Sequence, residues 1–142
     1  MATEILVNDG GAPARIMNLG VAGAAIEAGM FVDIDSNGKI QAATDDQEAS
    51  ASGMKVALGV LLVDAVSGEP TSVVTGKGIV CNVQAAEALA TIGTEVTIDN
   101  AGKVEATDDA DNHRAVGITL AASFTGKDSG GADTTFVKVL LL

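Results

Sequence analysis

The residue types that chemistry requires are scarce in this chain, and the best-spaced set is Asp33-Ile34-Asp35-Ser36-Asn37-Gly38. Side-chain oxygens at alternate positions, closed by a glycine, match the first half of an EF-hand calcium loop. That loop also needs a bidentate carboxylate at its twelfth position and a helix on either side. Here the twelfth position is Thr44, the flanks alternate in the manner of strands, and a second copy of the stretch has Thr97 in place of the first ligand. The run reads as a hairpin turn, and no metal is expected. His113, the one histidine, lies in the acidic stretch 108–114 and reads as a solvated surface residue. Cys81, the one cysteine, sits in Ile79-Val80-Cys81-Asn82-Val83, a strand pattern in which it serves as a small buried hydrophobe. Neither a zinc site nor a Cys-His pair can be assembled from one residue of each type. Ser50, Ser52, Ser67, Ser72, Ser123 and Ser129 have no base nearby in sequence. Gly76-Lys77-Gly78 lacks the first glycine of a phosphate-binding loop and the hydroxyl residue that follows its lysine. The chain reads as a non-enzymatic protein without a cofactor.

The elements that would hold these residues are duplicated. Residues 29–46 (GMFVDIDSNGKIQAATDD) return as residues 93–109 (GTEVTIDNAGKVEATDD). At a constant offset, Gly29, Val32, Ile34, Asp35, Gly38, Lys39 and Ala42 meet Gly93, Val96, Ile98, Asp99, Gly102, Lys103 and Ala106. One inserted residue then brings Thr44-Asp45-Asp46 onto Thr107-Asp108-Asp109, acidic loops that solvation explains. Downstream, Ala57-Leu58-Gly59-Val60 answers Ala115-Val116-Gly117-Ile118. Met30, Val32 and Ile34 alternate with Phe31, Asp33 and Asp35, a period of two that predicts a strand with the first set facing the core. Asp-x-x-Gly-Lys then supplies a type I turn closed by a G1 bulge.

Two copies are too few for a solenoid. The predicted fold is all-β, a single small barrel or sandwich built from two related hairpin-containing halves, with at most short helical turns. Residues 1–13 read as an N-terminal arm or edge strand, and 14–142 as the β-barrel domain, with the repeat over 25–66 and 90–122. Further strands are expected at 14–18, 55–66 and 134–142, a hairpin at 71–75 and 78–83, a flexible loop at 125–133 and a short helix at 84–90.

Composition narrows the function classes. Eight Lys and Arg stand against 19 Asp and Glu, a net charge of −11. Such a chain repels phosphate backbones, and it has neither a basic stripe nor an aromatic platform, so no nucleic acid is expected. No stretch approaches the roughly 20 apolar residues of a membrane span, so no membrane is expected either. The only aromatics are Phe31, Phe124 and Phe136. The core must therefore be built from Val, Ile, Leu and Ala, which suits a thin barrel and not an aromatic-lined ligand cleft.

Taken in order, the second half has a Gly-initiated strand (Gly93-Thr94-Glu95-Val96-Thr97-Ile98) and a Gly-Lys hairpin (Gly102-Lys103-Val104). An Ala-Val-Gly-Ile strand (Ala115-Val116-Gly117-Ile118) and a closing strand (Val137-Lys138-Val139) follow. This grammar, which covers residues 25–142, resembles the small β-barrel capsid decoration (cement) proteins of tailed phages and related archaeal viruses. The resemblance implies a virion protein that binds the outside of an assembled head, often as a trimer, and reinforces it against internal pressure. The partners it implies are the major capsid protein and further copies of the chain. Another virion β-barrel, such as a tail-tube or head-completion subunit, and a soluble ligand-binding barrel are the alternatives. The N-terminal stretch matches no pattern of that family, so contact residues do not carry over. The residues themselves point to two candidate contacts. Thr3, Glu4, Ile5, Leu6 and Val7 have strand character and read either as an unpaired strand for a neighbour's sheet edge or as the barrel's own first strand. Phe31, placed on the face of Asp33 and Asp35, reads as a subunit contact in a homotrimer.

Overall fold

The computed structural model describes residues 2–7, 14–44, 56–99, 101–107 and 114–142. His113, the pairs Asp45-Asp46 and Asp108-Asp109, and residues 8–13 of the arm lie outside them. The described residues form strands and no helix: β1 (Arg15–Met17), β2 (Phe31–Ile34), β3 (Ile40–Ala42), β4 (Gly59–Leu61), β5 (Val73–Thr75), β6 (Val80–Gln84), β7 (Glu95–Ile98), β8 (Val104–Ala106), β9 (Gly117–Thr119), β10 (Phe124–Lys127) and β11 (Asp133–Leu141). One sheet has the order β1-β5-β4-β2-β3; the other has β10-β11-β9-β7-β8, with β6 also on β11. Every strand pairing is antiparallel. The two sheets pack together as the all-β fold that the hairpin pattern predicts.

Each half builds the same five-stranded unit, β1-β5-β4-β2-β3 in the first and β6-β11-β9-β7-β8 in the second. The registers coincide: Ile16 lies opposite Val74 as Val80 lies opposite Leu140, and Val32 opposite Gly59 as Val96 opposite Gly117. The loops repeat it bond by bond. Gly29 N–H donates to the Leu61 carbonyl and Gly93 N–H to the Thr119 carbonyl, both at 2.8 Å. Leu58 N–H donates to the Val32 carbonyl and Val116 N–H to the Val96 carbonyl, again both at 2.8 Å. In both hairpins one aspartate organises the turn. Asp35 Oδ1 accepts from the N–H groups of Asn37 and Lys39 at 2.8 and 2.9 Å, and Asp99 Oδ1 from those of Ala101 and Lys103 at the same distances. Gly38 and Gly102 supply the left-handed position at φ of 78° and 75°, where a Cβ would be strained.

A central core joins the halves, with Phe31, Val60 and Val74 from the first meeting Val96, Ile98, Val137 and Val139 from the second. A smaller cluster of Ala22, Ile26, Val32, Ile40, Leu61, Ala65 and Val73 lies within the first half. Residues of β2 serve both clusters, so Phe31, Val32 and Asp33 are all buried while Ile34 is 41% exposed. Val32 is a core residue as expected and Met30 packs against the same cluster, whereas Ile34, expected in the core, is exposed and Phe31, expected on the polar surface, is buried. Alternation along a strand fixes which residues share a face. It does not say that both faces will be covered.

Other local readings change for reasons of pairing. The hairpin read at 71–83 does not form: β5 and β6 belong to different sheets, and both edges of β5 are already taken by β1 and β4. Gly76 and Gly78, at φ of 126° and 74°, instead carry the chain from one half to the other. The helix read at 84–90 is absent because Gln84 completes β6, Ala85 bridges Val104, and Ala86 N–H donates to the Val104 carbonyl. The long strand read at 55–66 is reduced to Gly59–Leu61 among the described residues, with Ala65 bridging Ile26. Within the loop read at 125–133, β10 folds back on the start of β11, and Asp128 Oδ1 accepts from Ala132 N–H across the turn.

Candidate interaction surface

Residues 3–7 are seated on their own domain. Leu6 bridges Cys81, Val7 N–H donates to the Val80 carbonyl at 3.1 Å, and Asn82 N–H donates to the Ile5 carbonyl at 2.8 Å. The Asn82 side-chain amide adds a bond to the Glu4 carbonyl, and Thr3 N–H reaches the Lys127 carbonyl, both at 2.8 Å. Ile5 is buried in the central core, Leu6 packs against it, and Glu4 points to solvent. The stretch pairs in cis through an isolated bridge and not as a full strand, because the free edge of β6 lies within reach and Ile5 finds an apolar seat there.

Phe31 does not join residues 3–7 in a surface. It is 3% exposed, packed between the sheets, and its N–H donates to the Gly102 carbonyl of the other hairpin. The expectation of an outward aromatic is corrected: burial leaves Phe31 almost no area to offer a second copy. Strand alternation carried no signal for this, since it does not distinguish the inter-sheet face from the outer one.

Asp33 is fully buried, and its carboxylate accepts from the Gln41 side-chain amide at 2.7 Å and from Thr44 N–H at 3.3 Å. Asp35 is engaged with its own turn. Among the described residues no group of His, Cys, Asp and Glu side chains is placed to hold a metal. Cys81 is buried, and desolvation pushes its thiol from 9.0 up to about 11, which keeps it protonated and unreactive. A cleft of about 270 Å³ includes Phe31, Leu58, Lys77, Arg114, Val116 and Leu141 in its lining. Lys77 and Arg114 are its charged lining residues, and the other ten are apolar residues or glycine.

What the surface offers is apolar. Ile16 and Met17 on β1 are 53% and 43% exposed, and in the second half Ile92 and Leu120 are exposed on loops and Phe124 at the start of β10. Those loops are held together by Gly93 N–H to the Thr119 carbonyl and Ser123 N–H to the Leu89 carbonyl. The sequence reading missed all of these.

Fold and surface together define a duplicated two-sheet β-protein whose usable features are edges and apolar patches. No family model matches the chain, and no curated protein matches it. Among solved structures it is similar to the N base of the head fiber gp8.5 of bacteriophage phi29, with a TM-score of 0.61 and 15% identity. The likeness covers 92% of this chain and 95% of that one. At that identity it is a likeness of fold.

Proposed function

We propose that this protein is a structural component of a virion that sits on the outer surface of an assembled head, binds the major capsid protein, and reinforces the lattice. The observation that carries this reading is the near end-to-end likeness of fold to the base of a phage head fiber. It is joined by the sequence grammar of the decoration proteins, which rests on different evidence. A capsid offers the same site many times over, so a homotrimer engages several subunits at once and each contact can be weak. Reinforcement follows by linkage, since whatever binds the assembled lattice and not its separate subunits stabilises the lattice.

The test is to mix the protein with heads that lack it and to sediment and heat the mixture. Co-sedimentation and a raised disruption temperature are expected. Protein that stays in the supernatant and leaves that temperature unchanged refutes the head-binding role. Sedimentation equilibrium of the free protein tests the trimer separately.

A further inference from the structure

The duplication allows each sheet edge to be compared with its counterpart. Residues 21–23 cover β3 through Ile40 N–H to the Val21 carbonyl and Gly23 N–H to the Ile40 carbonyl. Residues 85–86 cover β8 in the same way, and residues 5–7 cover β6. The outer edge of β1 has no such cover among the described residues, and all three of its residues are exposed.

By register, β1 is the counterpart of β6: Ile16, Met17 and Asn18 stand where Val80, Cys81 and Asn82 stand in the second half. On β6 three groups grip the covering stretch. The Val80 carbonyl accepts from Val7, Asn82 N–H donates to Ile5, and the Asn82 side-chain amide donates to Glu4. Their counterparts on β1 are the Ile16 carbonyl, Asn18 N–H and the Asn18 side-chain amide. Asn18 is exposed, and its Oδ1 accepts from Gly20 N–H at 3.0 Å, which holds the side chain in place and leaves its NH₂ to donate.

We propose that the outer edge of β1, from Ile16 to Asn18, is a strand-addition site that takes an extended apolar segment of the viral shell. The proposal rests on the head-binding reading. Size and charge select the occupant. A three-residue strand offers far less than the roughly 1,200 Å² that holds two folded proteins together, so it does not by itself retain a second copy. An extended segment needs only ladder bonds and side-chain seats, and repetition over a lattice offsets the weakness of one site. Residues 14–26 contain no Asp or Glu in a chain that has 19, so the incoming segment meets no carboxylate on this stretch. Ile16 to Asn18 contains no lysine or proline of the kind that commonly blocks strand addition, and the one charge on β1 is Arg15, just before it.

Hydrogen exchange on the full-length protein, free and bound to heads that lack it, tests the site. Among residues 16–20, the outward Asn18 amide is expected to exchange freely in the free protein and to slow by about tenfold or more on heads, while its counterpart on Asn82, bonded to the Ile5 carbonyl, is slow in both states. Ile16→Lys, at an exposed position, is expected to keep its thermal transition and to lose about tenfold in head affinity. Head binding without added protection at 16–20, and with full affinity in Ile16→Lys, overturns the strand-addition site and leaves the head-binding reading intact. Absence of binding by the unaltered protein overturns both. Protection that appears merely on concentrating the free protein makes a second copy the occupant and overturns the assignment to the shell.

Discussion

Gly38 and Gly102 occupy the same turn position in the two hairpins with nearly the same φ, yet a Cβ at Gly38 meets nothing within 4 Å, whereas at Gly102 it would lie 2.8 Å from the Phe31 carbonyl oxygen. Gly38→Ala is therefore expected to cost about 1 kcal/mol, the left-handed strain alone. Gly102→Ala adds an overlap with backbone that cannot swing away and is expected to cost about 3 kcal/mol. Urea unfolding of both variants measures the difference, and equal costs would show that the second hairpin does not dock on the first half. Cys81 gives a second expectation at this scale. Burial raises its pKa, so the unfolded chain releases the thiol proton near 9.0 and the folded protein near 11. Its contribution to stability is whole below pH 9 and falls as pH rises through that window. A thiol reagent at pH 8 should label Cys81 no faster than the protein unfolds, and rapid labelling of the folded protein would contradict its burial.

Among the elements, the N-terminal stretch and β1 are instructive together, because one fills on β6 the kind of edge that the other leaves open. Ile5 is 6% exposed within the central core. Ile5→Ala is expected to cost about 3 kcal/mol by urea unfolding, the usual loss for a large-to-small change in a core. A cost near zero would mean that residues 3–7 are not seated in solution. Asn82→Ala removes the side-chain grip on the Glu4 carbonyl and is expected to cost about 1 kcal/mol, with Asn18→Ala near neutral in the free protein. The contrast between two asparagines at equivalent positions reads out which edge is occupied.

At the scale of the whole molecule, the halves share one core and neither encloses it. Val60 and Val74 pack with Val96, Ile98 and Val139 across the two sheets. Residues 14–75 or 79–142 produced alone are expected to show poorly dispersed amide spectra, and the full chain a single cooperative unfolding transition. Well-dispersed spectra from either half would show that the repeats are separate domains. The charge of −11 acts on the molecule as a whole. Raising ionic strength from low salt to about 0.15 M screens that self-repulsion, and the melting temperature is expected to rise.

The sequence by itself determined what depends on neighbours along the chain. Asp35 and Gly38, repeated as Asp99 and Gly102, specify both hairpin turns, because a turn is closed by local bonds and one permissive φ. The alternation of β7 and β8 and the apolar run of β11 mark those strands, and the spacing of matches announced two related halves. Tertiary structure decided which edges pair and which faces are covered. Gly76 and Gly78 look like a hairpin in sequence, but β5 had both edges occupied and β6 joined the other sheet. Phe31 looks like a surface aromatic beside two aspartates, but the second half covers its face, and Asp33 is satisfied there by Gln41 and Thr44. The equivalence of Asn18 and Asn82 was present as a matching pair of letters. It acquired meaning only when the fold put a segment against one and left the other open, since edge occupancy depends on distant segments that no local pattern records.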